Sequence, residues 1–178
     1  GLTAAFITAG ANIVNDIFDK DIDRINKPFR LIASGAVSIR RAWYYFAFSY
    51  LTGLILAWIS GAMLFTIAVT FAVLLYWYSA QLKRVVLVGN FVVSLSTAIA
   101  FIYGALAVYD WKAGIVPALF AFCFHFGREI IKDMQDVKGD AALQANTLPI
   151  RYGIKLSVFL VNIIYTLLII LTLIPYII

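Results

Sequence analysis

Apolar and polar residues fall in blocks along this chain rather than alternating singly. Apolar runs occupy 42–59, 62–79, 86–108, 112–131 and 155–178, with a similar but shorter run at 2–14. The five longer runs are each near the ~20 residues that a helix needs to cross a hydrocarbon core. The pattern predicts an all-α fold: a polytopic transmembrane helical bundle of about six helices forming one domain. Connector lengths alternate. The links near Ser60-Gly61 and Asp110-Trp111 are only a few residues, so the helices they join are expected to pair as antiparallel hairpins. The links on the opposite side are long and polar, and chemistry is expected there. The first helix should run on to about Asn26, because Pro28 disfavours helix in the residue before it. The stretch NKPFRLIASGAVS then reads as a loop, with Ser38 as the N-cap of the next helix. A later helix is expected to break at Gly139, with irregular chain around Pro149 and Gly153.

Composition agrees with this picture. The chain is 63% hydrophobic and 13% charged, whereas an ordinary soluble domain is about 25% charged. It opens at Gly1 and closes at Ile178 inside apolar sequence, which predicts further chain beyond both ends. The single cysteine, Cys123, excludes an intrachain disulfide and reads as a small buried hydrophobe. Thirteen of the fourteen Lys and Arg residues lie in 20–41, 83–84 and 128–155, and only Lys112 lies elsewhere. Counting spans, those three segments share one side of the bilayer, and the positive-inside rule makes that side cytoplasmic. Topology accounts for the basic excess, and no nucleic-acid partner is expected.

The same side carries two acidic strings of one spacing. Asp16, Asp19 and Asp23 in NDIFDKDID, and Asp133, Asp136 and Asp140 in KDMQDVKGD, both read D-x-x-D-x-x-x-D. Residues at i, i+3 and i+7 share a helical face. Asn12 and Asn15 extend the first face beside Asp19 and Asp23, with Asp16 at its edge, and Glu129 extends the second. Two carboxylates ~6 Å apart at an effective dielectric of ~20 repel by roughly 3 kcal/mol, so such rows call for cations. The only histidine, His125, stands alone and Cys123 has no partner, which disfavours zinc. Mg²⁺ suits hard oxygen donors and completes its octahedron with water and phosphate oxygens. Solvated acids at helix ends are the plain alternative.

The string NDIFDKDIDRINKPFRLIASGAVS resembles the first signature of the UbiA-type intramembrane prenyltransferases. YSAQLKR with Gly89-Asn90 is similar to their middle signature, and REIIKDMQDVKGD with TLPIRYG to their second aspartate motif and the loop after it. These motifs span 12–153 in the family's order. The resemblance implies nine transmembrane helices around a central cavity, of which this chain supplies about the second to the seventh. It also implies Mg²⁺ and an isoprenyl diphosphate held by Asn15, Asp19, Asp23, Asp136 and Asp140, with Asp16 and Asp133 in support. Lys83 and Arg84 would meet the diphosphate, with Arg30 and Lys132 as further candidates. Each of these cations could equally be a positive-inside anchor. Tyr78 would either bond phosphate or sit in the aromatic belt, and Asn90 would bond either substrate or a neighbouring helix.

The implied reaction is Mg²⁺-dependent transfer of a prenyl group, geranylgeranyl in the first instance, to an acceptor held at the membrane. Within the family the second motif is most similar to the archaeal ether-lipid branch, which alkylates the free hydroxyl of geranylgeranylglyceryl phosphate. An aromatic quinone precursor or a tetrapyrrole is the alternative acceptor. Asp133 or Glu129 is the candidate base for the hydroxyl proton, with Lys83 acting on the leaving group. Arg128, Lys132 and Arg151 are candidates for an acceptor phosphate. Trp77, Phe101, Tyr103, Phe122 and Phe126 either line a prenyl tunnel or simply pack. An ion-coupled transporter is the competing class, although its acids usually lie near mid-membrane on broken helices.

Overall fold

The computed structural model describes residues 1–142 and 144–173; Leu143 and the end of the last predicted run, 174–178, lie outside the described residues. The chain divides into two compact units, 1–82 and 83–178. Each is all-helical among the described residues.

In the first unit α1 (Leu2–Phe18) and α2 (Lys20–Asn26) are followed by a loop, then α3 (Ile39–Ser60) and α4 (Ala62–Ala80). Helix α1 packs on both α3 and α4, and small residues let the backbones approach. Gly10 lies under the ring of Tyr50, and a Cβ at Gly53 would stand 3.2 Å from the Ile7 amide. The phenol of Tyr50 donates to the Ala72 carbonyl at 3.1 Å, tying α3 to α4. Phe18 meets Trp43 and Tyr76 edge-on at 6.3 and 5.8 Å and so anchors the end of α1 within the acidic segment, between Asp16 and Asp19. The expected end at Asn26 and the Ser38 cap are both present, Ser38 accepting from the Arg41 amide. The helix is not continuous, however. At Asp19 the backbone turns to φ −89°, ψ 2°, separating α1 from α2, while Asp19 and Asp23 amides still bond the carbonyls four residues back.

The second unit holds α5 (Val88–Ala107), α6 (Ile115–Ala142), α7 (Leu148–Tyr152) and α8 (Ile154–Leu173), with α6 packed on α5 and α8. Its core is Ile130, Leu148 and Val161, with Leu87, Phe126 and Met134 against them. Gly127 sits against the Tyr165 ring. Two readings of the sequence are corrected here. Helix α6 passes through Gly139, which is buried, and ends at Ala142. The ~1 kcal/mol that glycine costs inside a helix does not stop a helix already packed on its neighbours. Pro149 lies in the first turn of α7, where its missing N–H is not needed, and Gly153 closes that helix at φ +86°.

Among the described residues five helices are long and apolar enough to cross a membrane: Ile39–Ser60, Ala62–Ala80, Val88–Ala107, Trp111–Ala142 and Ile154–Leu173. Helix α1 is apolar but shorter. The turn before α6 offers a sharp test of packing. A Cβ on Gly114 would stand 3.0 Å from the Phe101 carbonyl oxygen and 3.1 Å from the Ile102 Cα, which are backbone atoms and cannot swing aside. Gly114→Ala is therefore expected to destabilise the protein by about 1–3 kcal/mol, read as a lower thermal midpoint in detergent. Gly104→Ala, which meets nothing within 4 Å, should leave the midpoint in place.

Candidate functional site

The first acidic row lies across the α1–α2 junction. The Asn15 amide donates to Asp19 Oδ2 at 2.9 Å, as their spacing of four predicts. Asp23 is buried, with its side chain 4% exposed, whereas the Asp16 side chain is 40% exposed. Asn12 faces out, so the row narrows to Asn15, Asp16, Asp19 and Asp23. A cation from the loop already stands among these acids. One guanidinium nitrogen of Arg30, Nη1, lies 2.7 Å from Asp16 Oδ1 and 2.9 Å from Asp23 Oδ2. The loop aims it: the Arg30 amide bonds the Lys27 carbonyl, the Ser34 amide bonds the Arg30 carbonyl, and Gly35 turns at φ +82°. Phe29 and Leu31 on either side point outward, 80% and 65% exposed.

Burial pushes the Asp23 carboxyl above its ordinary value, and Asp19 and Asp16 push the same way, while the charge and hydrogen bond of Arg30 oppose them. Burial works to lower Arg30, and Asp16 and Asp23 outweigh it and raise the guanidinium above its ordinary value. Arg30→Ala is expected to cost about 1–3 kcal/mol at neutral pH, the penalty of leaving buried acceptors without a partner. Because the Asp23 carboxyl is then higher still, the destabilisation should grow as pH rises through its folded value and fade as pH falls toward the ordinary carboxylate range. The thermal midpoint measured against pH checks this, and added Mg²⁺ should stabilise the variant more than the parent. An equal Mg²⁺ response in both would show that Arg30 does not share the cation's place.

The second row runs down α6. Asp133 Oδ2 accepts from the Asn90 amide at 2.8 Å, so the buried Asn90 of α5 bonds a neighbouring helix, and through it one of the candidate acids. Asp136 is half-buried and Asp140 is buried. One turn toward the N-terminus the Glu129 carboxylate is held from both sides, by Arg128 Nη1 at 2.8 Å and Lys132 Nζ at 2.9 Å. Lys83 and Arg84 lie on a 3-10 turn between α4 and α5, and the Asn146 amide bonds the Arg84 carbonyl at 3.0 Å. That link brings the basic turn to the loop after α6. Beside it the Thr147 hydroxyl is buried without a hydrogen-bond partner among the described residues. Buried hydroxyls are normally satisfied, and Thr147 stands at the N-cap of α7 without a side-chain cap hydrogen bond. Leu87, three residues after Arg84, adopts a left-handed φ of 61° at the start of α5.

The aromatic candidates separate. Phe122 stacks on Phe126 at 5.7 Å and meets Phe91 edge-on, whereas Trp77 is exposed and donates to Gln81. Tyr103 is buried with its hydroxyl unpartnered among the described residues. Phe101 lines an open apolar groove of about 680 Å³ with Thr97, Phe120, Phe124, His125 and Leu168. Tyr78 is half-buried near the end of α4, and Arg151 lies over the Tyr152 ring at 5.4 Å.

Among the described residues no three His, Cys, Asp or Glu side chains form a metal cage by themselves. The donors in both rows are oxygens, and neither row closes into a ligand shell of its own among the described residues. That fits Mg²⁺, which is bound through one or two carboxylates plus water and phosphate. Zinc would ask for nitrogen or sulfur.

Comparison with known proteins agrees. The UbiA prenyltransferase family model matches residues 1–178. A digeranylgeranylglyceryl phosphate synthase of Sulfurisphaera tokodaii is 38% identical over 178 residues, covering 98% of this chain and 64% of the relative. One of Metallosphaera sedula is 41% identical over 156 residues, covering 86% of this chain and 55% of the relative. A solved structure concerning digeranylgeranylglyceryl phosphate synthase in membranes shares 35% identity and a TM-score of 0.74, covering 99% of this chain and 63% of that one. A UbiA homolog from Archaeoglobus fulgidus, solved bound to GPP and Mg²⁺, has a TM-score of 0.70 at 21% identity, covering 96% of this chain and 62% of that one, and supports the fold. The chain thus spans less than two thirds of the length of these relatives.

Proposed function

Because the chain belongs to the UbiA prenyltransferase family, and so is an integral, multi-pass membrane protein, we propose that it is the greater part of an enzyme that transfers a prenyl group from an isoprenyl diphosphate to a membrane-held acceptor. The observation that carries this reading is the recurrence of D-x-x-D-x-x-x-D at Asp16–Asp23 and Asp133–Asp140, with basic side chains beside each row. Mg²⁺ would be held by Asn15, Asp16, Asp19 and Asp23 and by Asp136 and Asp140. When bound it would neutralise the diphosphate and stabilise the charge that builds as the leaving group departs. The rows face the cytoplasm by the positive-inside rule, which the clustering of basic residues in 20–41, 83–84 and 128–155 supports.

The chain's own residues then have the following work. Lys83 and Arg84 meet the diphosphate, Lys83 as the compact charge on the leaving group and Arg84 through its planar fork. The allylic C–O bond breaks and its electron pair leaves on diphosphate. The carbon, cation-like in the transition state, is attacked by an acceptor hydroxyl, and apolar walls keep out water that would compete. The new bond is an ether C–O bond. The hydroxyl proton passes to a carboxylate, for which Asp133 is better suited than Glu129. Asp133 is oriented by a neutral amide, whereas both oxygens of Glu129 are already engaged by Arg128 and Lys132.

The acceptor favoured is geranylgeranylglyceryl phosphate and the donor geranylgeranyl diphosphate. The naming of the relatives and the R-E-x-x-K-D form of the second motif support both choices. Incubating the protein with labelled geranylgeranyl diphosphate, Mg²⁺ and a panel of glycerol-lipid, aromatic and tetrapyrrole acceptors tests them. Labelled ether lipid is the expected product; transfer only to an aromatic ring would reassign the acceptor. Ion flux indifferent to any prenyl diphosphate would favour a transporter.

A further inference from the structure

Glu129 is the most deeply buried acid of the second row after the chain enters its polar half. Its side chain is 6% exposed, and the two cations on it are not buried with it: Arg128 is 50% and Lys132 39% exposed. Each carboxylate oxygen takes one cation. A guanidinium has five donors and an ammonium three, so one hydrogen bond apiece leaves most of the donors of both heads facing outward. The trio carries a net charge of +1. Placing three charges on a helix long and apolar enough to cross a membrane is costly, and well-packed apolar residues are often at least as stable as a buried ion pair. Stability alone is therefore a weak reason for the arrangement.

We propose that Arg128 and Lys132 form a subsite for the phosphate monoester of the acceptor, and that Glu129 is the positioning residue that holds the two cations side by side. The proposal rests on the prenyl-transfer reading above and adds to it the role of Glu129. A phosphate monoester carries about −1.5 to −2 at neutral pH and three strong acceptor oxygens. It matches a fork and a point charge fixed at neighbouring positions, because the cations need not be gathered from solution when it binds. An acceptor without phosphate gains nothing from the trio.

The experiment is steady-state kinetics of the parent and Glu129→Gln with geranylgeranylglyceryl phosphate and with the same lipid lacking its phosphate. Glutamine keeps the shape and removes the charge. The expected result is a rise of about tenfold to a hundredfold in acceptor KM for the phosphorylated lipid, the size of one or two charge-assisted hydrogen bonds. The KM of the prenyl diphosphate and kcat at saturation should change little, and the phosphate-free lipid should be used equally by both proteins. Glu129→Asp should recover part of the loss. A collapse of kcat with unchanged acceptor KM would instead make Glu129 the base. A rise in the KM of the diphosphate would move the trio to the donor, and equal losses with both lipids would make its role purely structural. Each of these overturns the proposal. Thermal stabilisation by each lipid alone, without donor, separates it from the reading of activity. The phosphorylated lipid should stabilise the parent more than the phosphate-free lipid does, and Glu129→Gln should abolish that difference. If the parent transfers no prenyl group yet shows this difference, the reaction assignment fails and the subsite stands; if the parent shows no difference, the subsite fails.

Discussion

Asp19→Ala and Asp136→Ala are each expected to lower kcat by about 10²–10³-fold, the loss seen when one preorganised group is removed from a developing oxyanion. Both side chains are half-buried, Asp136 within α6 and Asp19 at the turn between α1 and α2, so alanine removes oxygens without opening a core cavity. The effect should fall on turnover. Asp19 is also held by the Asn15 amide at 2.9 Å, and Asn15→Ala should give a smaller loss in the same direction. The internal control is Asp21, which lies on α2 but off the motif and pairs with Arg24 at 3.3 Å in solvent. Asp21→Ala should keep parental activity, because exposed ion pairs contribute little. Rates with saturating donor and acceptor over a Mg²⁺ series measure all four. Losses of equal size at Asp21 and Asp19 would mean that the helix needs negative charge in general and not the spaced row.

The second large effect belongs to Asp133. Asp133→Asn is expected to lower kcat by about 10²–10⁴-fold, the usual contribution of general-base catalysis, with the KM of the prenyl diphosphate unchanged. Asparagine has nearly the same shape and still offers an oxygen to the Asn90 amide, which reaches Asp133 at 2.8 Å across α5 and α6. The substitution thus removes the proton acceptor and keeps the packing. Asn90→Ala should cost about tenfold, since it frees the carboxylate to turn without deleting it, and a charge-assisted hydrogen bond contributes about 1.5–3 kcal/mol at most. If Asp133→Asn retained full turnover while Glu129→Gln lost it, the base would be Glu129 and the roles given to the two acids would be exchanged.

Much of the scaffold was legible because it depends on local rules. Runs of apolar residues marked α3, α4, α5 and α8, Pro28 and Ser38 marked where α2 stops and α3 starts, and short connectors marked the tight turns at Gly61 and before Trp111. Helix α6 was legible as far as Gly139. Its last residues, Gly139 to Ala142, are helical because the helix packs, and packing is not written in a window of sequence. The break at Asp19 escaped for a related reason: the periodicity of the acids is the same whether or not the axis bends.

The candidate site divides along the same line. Contacts at helical spacing, Asn15 with Asp19 and Lys132 with Glu129, could be anticipated from i, i+4 and i, i+3. Arg30 on Asp16 and Asp23 depends on how the loop folds back, and Asn90 on Asp133 spans 43 positions. Neither is visible in any local pattern. The Thr147 hydroxyl, unpartnered among the described residues, is visible only once burial is known.

One assay tests Mg²⁺-dependent prenyl transfer through both acidic rows most directly. Purified protein in lipid vesicles is given labelled geranylgeranyl diphosphate and geranylgeranylglyceryl phosphate, with Mg²⁺ or with a chelator, alongside Asp19→Ala and Asp136→Ala. The expected result is labelled ether lipid from the parent with Mg²⁺, none with chelator, and rates lower by about 10²–10³-fold in either variant. Undiminished product in the chelator, or from both variants, would contradict it.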